Sequence, residues 1–379
     1  MEKGITWVAL DTSKKMHVAA VVVDGEADIR GMRVSNEPRA LARFARKLVR
    51  TAGGREVRVC YEAGPCGFAL VRQLEAAAPL VCEVVAPALI PVRPGERIKT
   101  DRRDARKLVQ YYRSGELTMV HPPSEEQEAV RDLVRCRESV SRDTVRARHR
   151  IAKFLLRRGR VYDQGRAWTQ RYERWLASLA WDDPLDRQIL EMYMLGLSQA
   201  QERLKALDEQ IEQVSQSERY REPVGWLRSF RGIDTVTAMT ILTEIFYFGR
   251  FASARELMSY LGLVPSEHSS GDRTRRGGLT KAGNSRVRRI LIEASWHYGY
   301  KPAVGRELGR RRKGQPAWVI AQADQAMTRL YRRHHRLRLR GKHPCQVAPA
   351  VARELVGFIW AVMREGTMRG AGSEMGKAL

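Results

Sequence analysis

Cysteines, a secretion signal and long apolar segments are scarce or missing in this chain of 379 residues. The five cysteines are odd in number and contain no Cys-x-x-Cys pair, which argues against both a disulfide framework and a zinc site. The N-terminus lacks the basic-then-apolar pattern of a signal peptide, and no stretch approaches the roughly 20 apolar residues of a membrane span. We therefore expect a cytoplasmic protein that does not act at a membrane.

Acidic residues are also in short supply. Lys and Arg number 68 against 43 Asp and Glu, so the formal net charge is +25. Nucleic acid is the polyanion most consistent with such an excess, because Lys and Arg neutralise phosphates and release their counterions. A composition of 43% hydrophobic and 29% charged residues excludes a disordered chain. The length of 379 residues is enough for two or three domains.

Four carboxylates occupy positions that suit a metal-dependent nuclease. Asp11 and Glu62 each end an apolar run that predicts a buried strand, and Asp101 and Asp104 lie three apart at the start of a predicted helix. Four converging carboxylates stay ionised only with cations among them, and Mg²⁺ prefers such oxygen ligands. A single acid after a strand is more often a turn or capping residue, whereas four in one domain favour phosphoryl-transfer chemistry.

The order of the predicted elements indicates two kinds of structure. Strands come first and then alternate with helices, as in a ribonuclease H-like α/β domain, with Asn36 as the N-cap of the first helix. Beyond residue 125 the chain becomes almost wholly helical. The predicted domains are an α/β domain over 1–120, a helical linker over 121–220, a helical domain over 221–365 and a disordered tail over 366–379.

Two helical segments leave a structural and a functional interpretation open. Residues 227–245 resemble a helix–hairpin–helix that binds a DNA phosphate, although Asp234 stands where a second glycine is usual, so a purely structural turn is equally good. An apolar stripe is either the core of a helical hairpin or a coiled coil that dimerises the protein. The stripe consists of Leu190, Leu197, Leu204, Leu207, Ile211 and Val214.

The segment 261–284 combines glycines, arginines and serines. Its glycines let the backbone approach a ligand closely, and a serine in an Arg-rich loop can attack a phosphodiester. From spacing alone, Ser269 and Ser270 are better explained as hydrogen-bond donors of a loop that grips phosphate. The predicted nucleic-acid contacts are Lys14, Arg273, Arg275, Arg276, Lys281, Arg286, Arg288 and Arg289.

The C-terminal region continues the basic character. Residues 305–313 are predicted to form a basic loop, and a helix from about 315 to 335 leads into a cationic run that ends at Lys342. We expect this run to contact the backbone of RNA or DNA.

Several short motifs resemble those of the DEDD-type insertion-sequence transposases, the "IS one-ten" family. In the first domain they are Asp11-Thr-Ser-Lys14, Tyr61-Glu-Ala-Gly64 and Lys99-Thr-Asp-Arg-Arg-Asp-Ala105. In the second they are Gly262-Leu-Val-Pro265, Ser270-Gly271 and Thr280-Lys-Ala-Gly-Asn284. The similarity spans roughly residues 4–300 in the order of the family.

This resemblance implies a RuvC-like domain followed by a helical transposase domain. It further implies that Asp11, Glu62, Asp101 and Asp104 bind Mg²⁺ and that Ser270 is a nucleophile. Members of the family are recombinases guided by a structured bridge RNA, and they act on DNA as homo-oligomers, dimers or tetramers. The alternatives are a metal-dependent DNA junction nuclease without a covalent intermediate and a non-catalytic RNA- or DNA-binding protein.

Overall fold

A computed structural model describes residues 4–64, 66–91, 100–267 and 275–370 of the chain. The chain divides into two compact units, residues 1–124 and residues 125–379. The first unit combines strands with helices, and the second is mostly helical. This organisation confirms the predicted fold class, an α/β region followed by a mainly α-helical one.

A mixed sheet forms the centre of the first unit. Its strands within the described residues are β1 (Ile5–Asp11), β2 (Met16–Val23), β3 (Arg30–Ser35), β4 (Glu56–Glu62), β5 (Val81–Val85) and β6 (Met119–Val120). They lie in the order β3-β2-β1-β4-β5-β6. The neighbours β1, β4 and β5 are parallel, and the outer pairings are antiparallel. Parallel neighbours require crossover connections, which here contain helices.

Helices cover both faces of this sheet. α1 (Pro38–Ala52) and α2 (Ala69–Ala77) pack on one face, and α3 (Asp101–Arg113) packs on the other. Because successive side chains of a strand point to opposite faces, Leu10 joins the core beneath α1 and α2, whereas Ala9 joins the core beneath α3. The first unit therefore has three layers, with the sheet in the middle.

Two local features of this unit differ from the prediction. The strand β3 was not predicted, because its sequence carries two arginines and a glycine instead of an apolar run, which is typical of an edge strand. The N-cap of α1 is Glu37 and not Asn36, and Pro38 begins the helix. Asn36 instead donates from Nδ2 to the Lys14 carbonyl at 3.1 Å, so it holds the turn between β1 and β2.

The second unit consists of helices and one short hairpin. Its helices within the described residues are α4 (Glu125–Arg157), α5 (Gln170–Ala177), α6 (Pro184–Ser215), α7 (Glu218–Arg228), α8 (Thr235–Ile245), α9 (Ala254–Tyr260), α10 (Ser285–Ser295), α11 (Arg306–Arg312), α12 (Ala317–Leu339) and α13 (Pro344–Gly370). The hairpin pairs β7 (Pro265–Glu267) with β8 (Arg276–Leu279). The helix α11 replaces the predicted basic loop, since the buried Arg312 of α11 donates to the Ser229 carbonyl and pairs with Asp324.

The apolar stripe of α6 packs against α4 of the same chain. Leu197 and Ile211 are buried, and Arg137 Nε of α4 donates to Asp208 Oδ1 of α6 at 2.7 Å. The stripe thus forms part of the core of a helical hairpin, which is the first of its two interpretations. Ile211 also shares a hydrophobic cluster with Leu227 of α7, so the packing continues across the domain boundary predicted at residue 220.

The helix α13 runs through the core of the second unit. Among the described residues, it is the one helix that is long and apolar enough to cross a membrane, although no such stretch was expected from the sequence. Val351, Leu355 and Ile359 are buried in the main hydrophobic cluster, so this packing accounts for the apolar composition. The helix also includes residues 366–370, which were predicted to belong to a disordered tail, and Arg369 donates to Glu365 one turn earlier.

Candidate active site

The two acids that end strands lie at the same edge of the sheet. Asp11 is the last residue of β1 and Glu62 the last of β4, and these strands are parallel neighbours. Asp11 is half-buried and Glu62 is exposed. Strand alternation directs both side chains toward the face that α3 covers, because Ala9 and Cys60, two residues earlier on each strand, pack there.

The helix α3 brings the other two acids to that edge. Near its C-terminus, the Tyr112 ring packs edge-on against the Trp7 ring near the start of β1, with the ring centroids 4.9 Å apart. The rest of α3 packs along the sheet, so the helix runs antiparallel to β1. Asp104 lies about 12 Å back along the helix from Tyr112, and Asp11 lies about 13 Å beyond Trp7 along the strand. The first turn of α3 is therefore level with the ends of β1 and β4.

Thr100 caps α3, so neither acid of the first turn is needed as the cap. The Thr100 hydroxyl accepts a hydrogen bond from the Arg103 amide at 3.4 Å. Asp101 is exposed and Asp104 is half-buried. Both are placed where the positive end of the helix dipole favours a negative charge.

The chemistry of these four groups suits a hard divalent cation, because all are carboxylates. Across the part of the chain that the structure describes, however, no three Asp, Glu, His or Cys side chains are close enough together to hold a metal ion. The fold gathers the four backbone positions, and binding would require the carboxylates to turn toward one another. The metal-binding tetrad therefore stays a prediction.

The second predicted site lies on the hairpin of the second unit. β7 and β8 are antiparallel, with Pro265 opposite Leu279. Ser269, Ser270 and Arg273 belong to the connection between the two strands and lie outside the described residues, so their roles stay predictions.

Four other predicted nucleic-acid contacts have described positions. Lys14 lies in the turn between β1 and β2, Arg275 precedes β8, and Lys281 follows β8; all three are exposed. Arg276 is the first residue of β8. Exposure leaves Lys14 and Lys281 accessible to phosphate, and all four contacts stay predictions.

Backbone hydrogen bonds hold the base of the hairpin together. The Thr280 N–H donates to the Val264 carbonyl at 2.9 Å, and the Asn284 N–H donates to the Tyr260 carbonyl at 3.3 Å. Gly283 has a φ of +68°, and a Cβ there would lie 1.9 Å from the Tyr260 carbonyl oxygen. Only glycine is accommodated at this position, so the chain enters and leaves the predicted serine segment from a closely packed base.

Arg288 of α10 crosses the same base. Its Nη1 donates to the carbonyls of Leu261 at 2.9 Å and Ala282 at 2.8 Å. Burial lowers the pKa of the Arg288 guanidinium from its usual value. This side chain, predicted to contact nucleic acid, is thus engaged in joining the two ends of the loop.

Arg286 and Arg289 of α10 also have protein partners. Both donate to Glu138 of α4, Arg289 at a distance of 3.1 Å. Burial raises the pKa of Glu138, but the hydrogen bond from Arg142 and the nearby arginine charges outweigh it and lower the pKa below the usual value. Any phosphate contact by these arginines would have to compete with ion pairs inside the unit.

A buried carboxylate that no sequence motif marks, Glu244 of α8, completes this network. Its side chain is 3% exposed. Arg135 Nε and Nη2 donate to its two oxygens at 2.7 and 2.9 Å, and Asn284 Nδ2 donates at 2.8 Å. Asn284 in turn caps α10. Glu244 thus positions Asn284, the residue at which the chain passes from the hairpin into α10. A single acid in an apolar and threonine-rich helix is the sequence feature that could have indicated this buried role.

Replacing Glu244 by alanine should lower the free energy of unfolding by about 2–3 kcal/mol, because Arg135 and Asn284 lose a shared buried acceptor. Urea unfolding followed by tryptophan fluorescence measures this, since seven of the eight tryptophans lie in the second unit. Glu293→Ala is the control: Glu293 pairs with Arg289, is 60% exposed and should contribute at most about 0.5 kcal/mol. Equal stability of the two variants would contradict this role of Glu244.

The segment that resembles a helix–hairpin–helix is a tight turn between α7 and α8. Gly232 has a φ of +81°, and a Cβ there would lie 2.7 Å from the Ala294 carbonyl oxygen. The Asp234 carboxylate accepts a hydrogen bond from the Thr237 N–H at 2.7 Å. It therefore occupies the helix N-terminus at which a phosphate would bind, which favours the structural interpretation.

Two family models match the chain, one mainly in the first unit and the other within the second. A DEDD transposase model of the IS110 type matches residues 8–158, which include all four acids of the predicted tetrad. A model described as "Transposase IS116/IS110/IS902 family" matches residues 225–308, which include the hairpin and Glu244. DEDD transposase domains typically depend on a divalent metal ion.

Individual proteins match over longer stretches. "Putative transposase y4qE" of Sinorhizobium fredii is 41% identical over 360 residues, covering 95% of this chain and 88% of that protein. "Transposase for insertion sequence element IS1533" of Leptospira borgpetersenii is 32% identical over 348 residues, 90% of this chain and 99% of that protein. "Transposase for insertion sequence element IS1328" of Yersinia enterocolitica is 26% identical over 274 residues, 71% and 73% of the two chains. These matches, together with the two family models, show that the chain belongs to the IS116/IS110/IS902 family of insertion-sequence transposases.

Proposed function

We propose that this transposase cuts and rejoins DNA with Ser270 as its nucleophile, with Mg²⁺ held by Asp11, Glu62, Asp101 and Asp104, and with a structured non-coding RNA as its guide. One observation carries the proposal: β1, β4 and α3 each bring an acid to the same edge and the same face of one sheet. The closely packed base of the β7–β8 hairpin supports the serine part of the proposal.

In the proposed reaction, the Ser270 Oγ attacks the phosphorus of the scissile phosphodiester. An O–P bond to serine forms, the bond from phosphorus to the leaving deoxyribose oxygen breaks, and the proton lost by serine is balanced by the one that the leaving oxygen gains. Arg273, Arg275 and Arg276 would balance the charge that develops on the phosphate oxygens. Bound Mg²⁺ would supply further charge neutralisation and orient the phosphate. The ester conserves the phosphodiester energy, so rejoining needs no ATP.

The acids and the serine lie in different units of the chain. We propose that the protein acts as a homo-oligomer, a dimer or a tetramer, in which the acids of one subunit and the serine of another meet on the same DNA. The acids and the serine also fall within two separate family models, which supports their contribution from different subunits.

The net charge of +25 predicts that binding weakens steeply with salt. The affinity for RNA and DNA should fall linearly on a double-logarithmic plot, because each phosphate contact releases counterions. At one salt concentration, RNA transcribed from the non-coding flank of the element should bind at least about ten-fold more tightly than random duplex DNA. Fluorescence anisotropy measures both affinities. Equal values would contradict RNA guidance without touching the transposase assignment.

A reconstituted reaction tests the proposed function as a whole. It contains the purified protein, Mg²⁺, DNA with the element ends, target DNA and the flank RNA. We expect joined products with the complete mixture and none when the RNA is omitted or EDTA is added. Products formed without RNA would overturn guidance. Tight nucleic-acid binding without any strand cleavage would instead support a non-catalytic binding protein.

A further inference from the structure

A continuous groove follows α12 in the second unit, between α9 and α13. Cavities of about 1300 and 690 Å³ make up this groove, and the smaller one is also lined by β8. The lining residues that both cavities share are Met258, Arg329, Arg333 and Glu354. We call it the arginine groove; it extends from the hairpin that bears the predicted serine along one face of α12.

The arginine groove has an excess of positive charge. Its described lining includes two acids, Asp324 and Glu354, against six arginines: Arg255, Arg329, Arg332, Arg333, Arg336 and Arg353. Glu354 pairs with Arg329 at 2.9 Å and Arg333 at 3.1 Å, and Asp324 pairs with Arg312 outside the groove. The other four arginines are exposed and form no ion pair with a residue that the structure describes. Four uncompensated charges favour a polyanion in the groove.

Apolar side chains line the groove between these arginines. Met258 and Phe358 contribute to the larger cavity and Pro265 to the smaller, and all three are partly exposed. Unpaired bases can pack on apolar and aromatic groups while cations follow the backbone, which is how proteins hold single strands. A duplex keeps its bases stacked inside, so it would leave the apolar part of the lining without a partner. The combination therefore favours a single strand.

The spacing along α12 suits such a strand. Arg329, Arg332, Arg333 and Arg336 share one face of the helix and span about 10 Å. A row of cations of this length can follow the backbone of a strand that lies along the helix. We propose that the arginine groove binds a single DNA strand next to the serine hairpin. This inference rests on the proposed function, in which cleavage separates the two ends of one strand and rejoining requires that they be held.

The test measures binding of a fluorescent oligothymidylate to the full chain. Arg332→Ala/Arg336→Ala should raise the Kd about ten-fold, and the double-logarithmic salt slope should become less steep by about 1.4, the value for two lost contacts to a single strand. The matched control, Arg187→Ala/Arg310→Ala, removes the same charge from exposed positions on α6 and α11 and should leave the Kd within about two-fold. Unchanged melting temperatures show that both variants are folded.

Three outcomes decide the inference. Equal losses in the two double variants would overturn it, because the effect would then be one of net charge. A loss of flank-RNA binding as large as the loss of oligothymidylate binding would assign the groove to RNA and overturn the DNA assignment. A selective loss of oligothymidylate binding, equal in the native and Ser270→Ala backgrounds, would support binding of single-stranded DNA in the arginine groove. This result would hold even if the chain cut no DNA, so the proposed function can fail separately.

Discussion

Replacing Glu62 or Asp11 by alanine should reduce recombination at least about a thousand-fold while leaving nucleic-acid binding within about two-fold. The reason is that the proposed Mg²⁺ site depends on the negative charge of all four acids, each held by a different part of β1, β4 or α3. Affinity for nucleic acid comes instead from the arginines and lysines, which these substitutions do not change. Strand-exchange products on a gel and anisotropy with labelled DNA measure the two quantities.

Asp28→Ala is the matched control for Glu62→Ala. Asp28 is a carboxylate of the same unit, lies between β2 and β3, and is 76% exposed. Its removal should leave recombination unchanged, because it does not lie at the edge where β1 and β4 end. Glu62 is also exposed, so neither variant should lower the melting temperature. Full activity of the Asp11 and Glu62 variants, or of the native chain in EDTA, would contradict the proposed metal site.

Replacing Ser270 by alanine should abolish a covalent protein–DNA adduct and lower strand exchange at least about ten-thousand-fold, because the proposed nucleophile is removed. Denaturing electrophoresis with labelled target DNA and guide RNA detects the adduct as a slowly migrating band. The glycines at the base of the hairpin remain in this variant, so its fold and its affinity for DNA should be unchanged.

Ser269→Ala is the control, since it removes a hydroxyl one residue away. The adduct should form with the native chain and with Ser269→Ala. An adduct that persists in Ser270→Ala would show that another residue is the nucleophile. Efficient strand exchange without an adduct in any variant would favour direct metal-activated hydrolysis or transfer, as in a junction nuclease.

Several parts of the candidate site follow from local sequence. The apolar pattern alone predicts a helix over residues 101–113 and a strand over residues 81–85, and the observed α3 and β5 have these bounds. The helix α3 begins directly after its cap, Thr100, and the periodicity of its apolar residues determines its buried face. Asp11 and Glu62 end their strands for equally local reasons, since each apolar run stops there.

Other parts have no local signal. The edge strand β3 is polar and pairs only because β2 offers it a partner. The helix α11 sits in a sequence that predicts a basic loop, and its Arg312 is buried because α12 supplies Asp324. Glu244 is an inconspicuous acid until α4 and α10 bring Arg135 and Asn284 to it.

The sequence by itself determined the fold class, an α/β region followed by helices. It also determined where β1 and β4 end and α3 begins, and the positive charge that favours nucleic acid as a partner. These properties depend on residues within a turn or two of one another, or on composition. Only the tertiary structure decided what each arginine does. Arg286 and Arg332 both lie in cationic helical segments, yet Arg286 meets Glu138, 148 residues earlier in the chain, and Arg332 faces a groove with no ion-pair partner among the described residues. Coulombic attraction and desolvation act over a few ångströms in space, and the folded chain alone sets those distances.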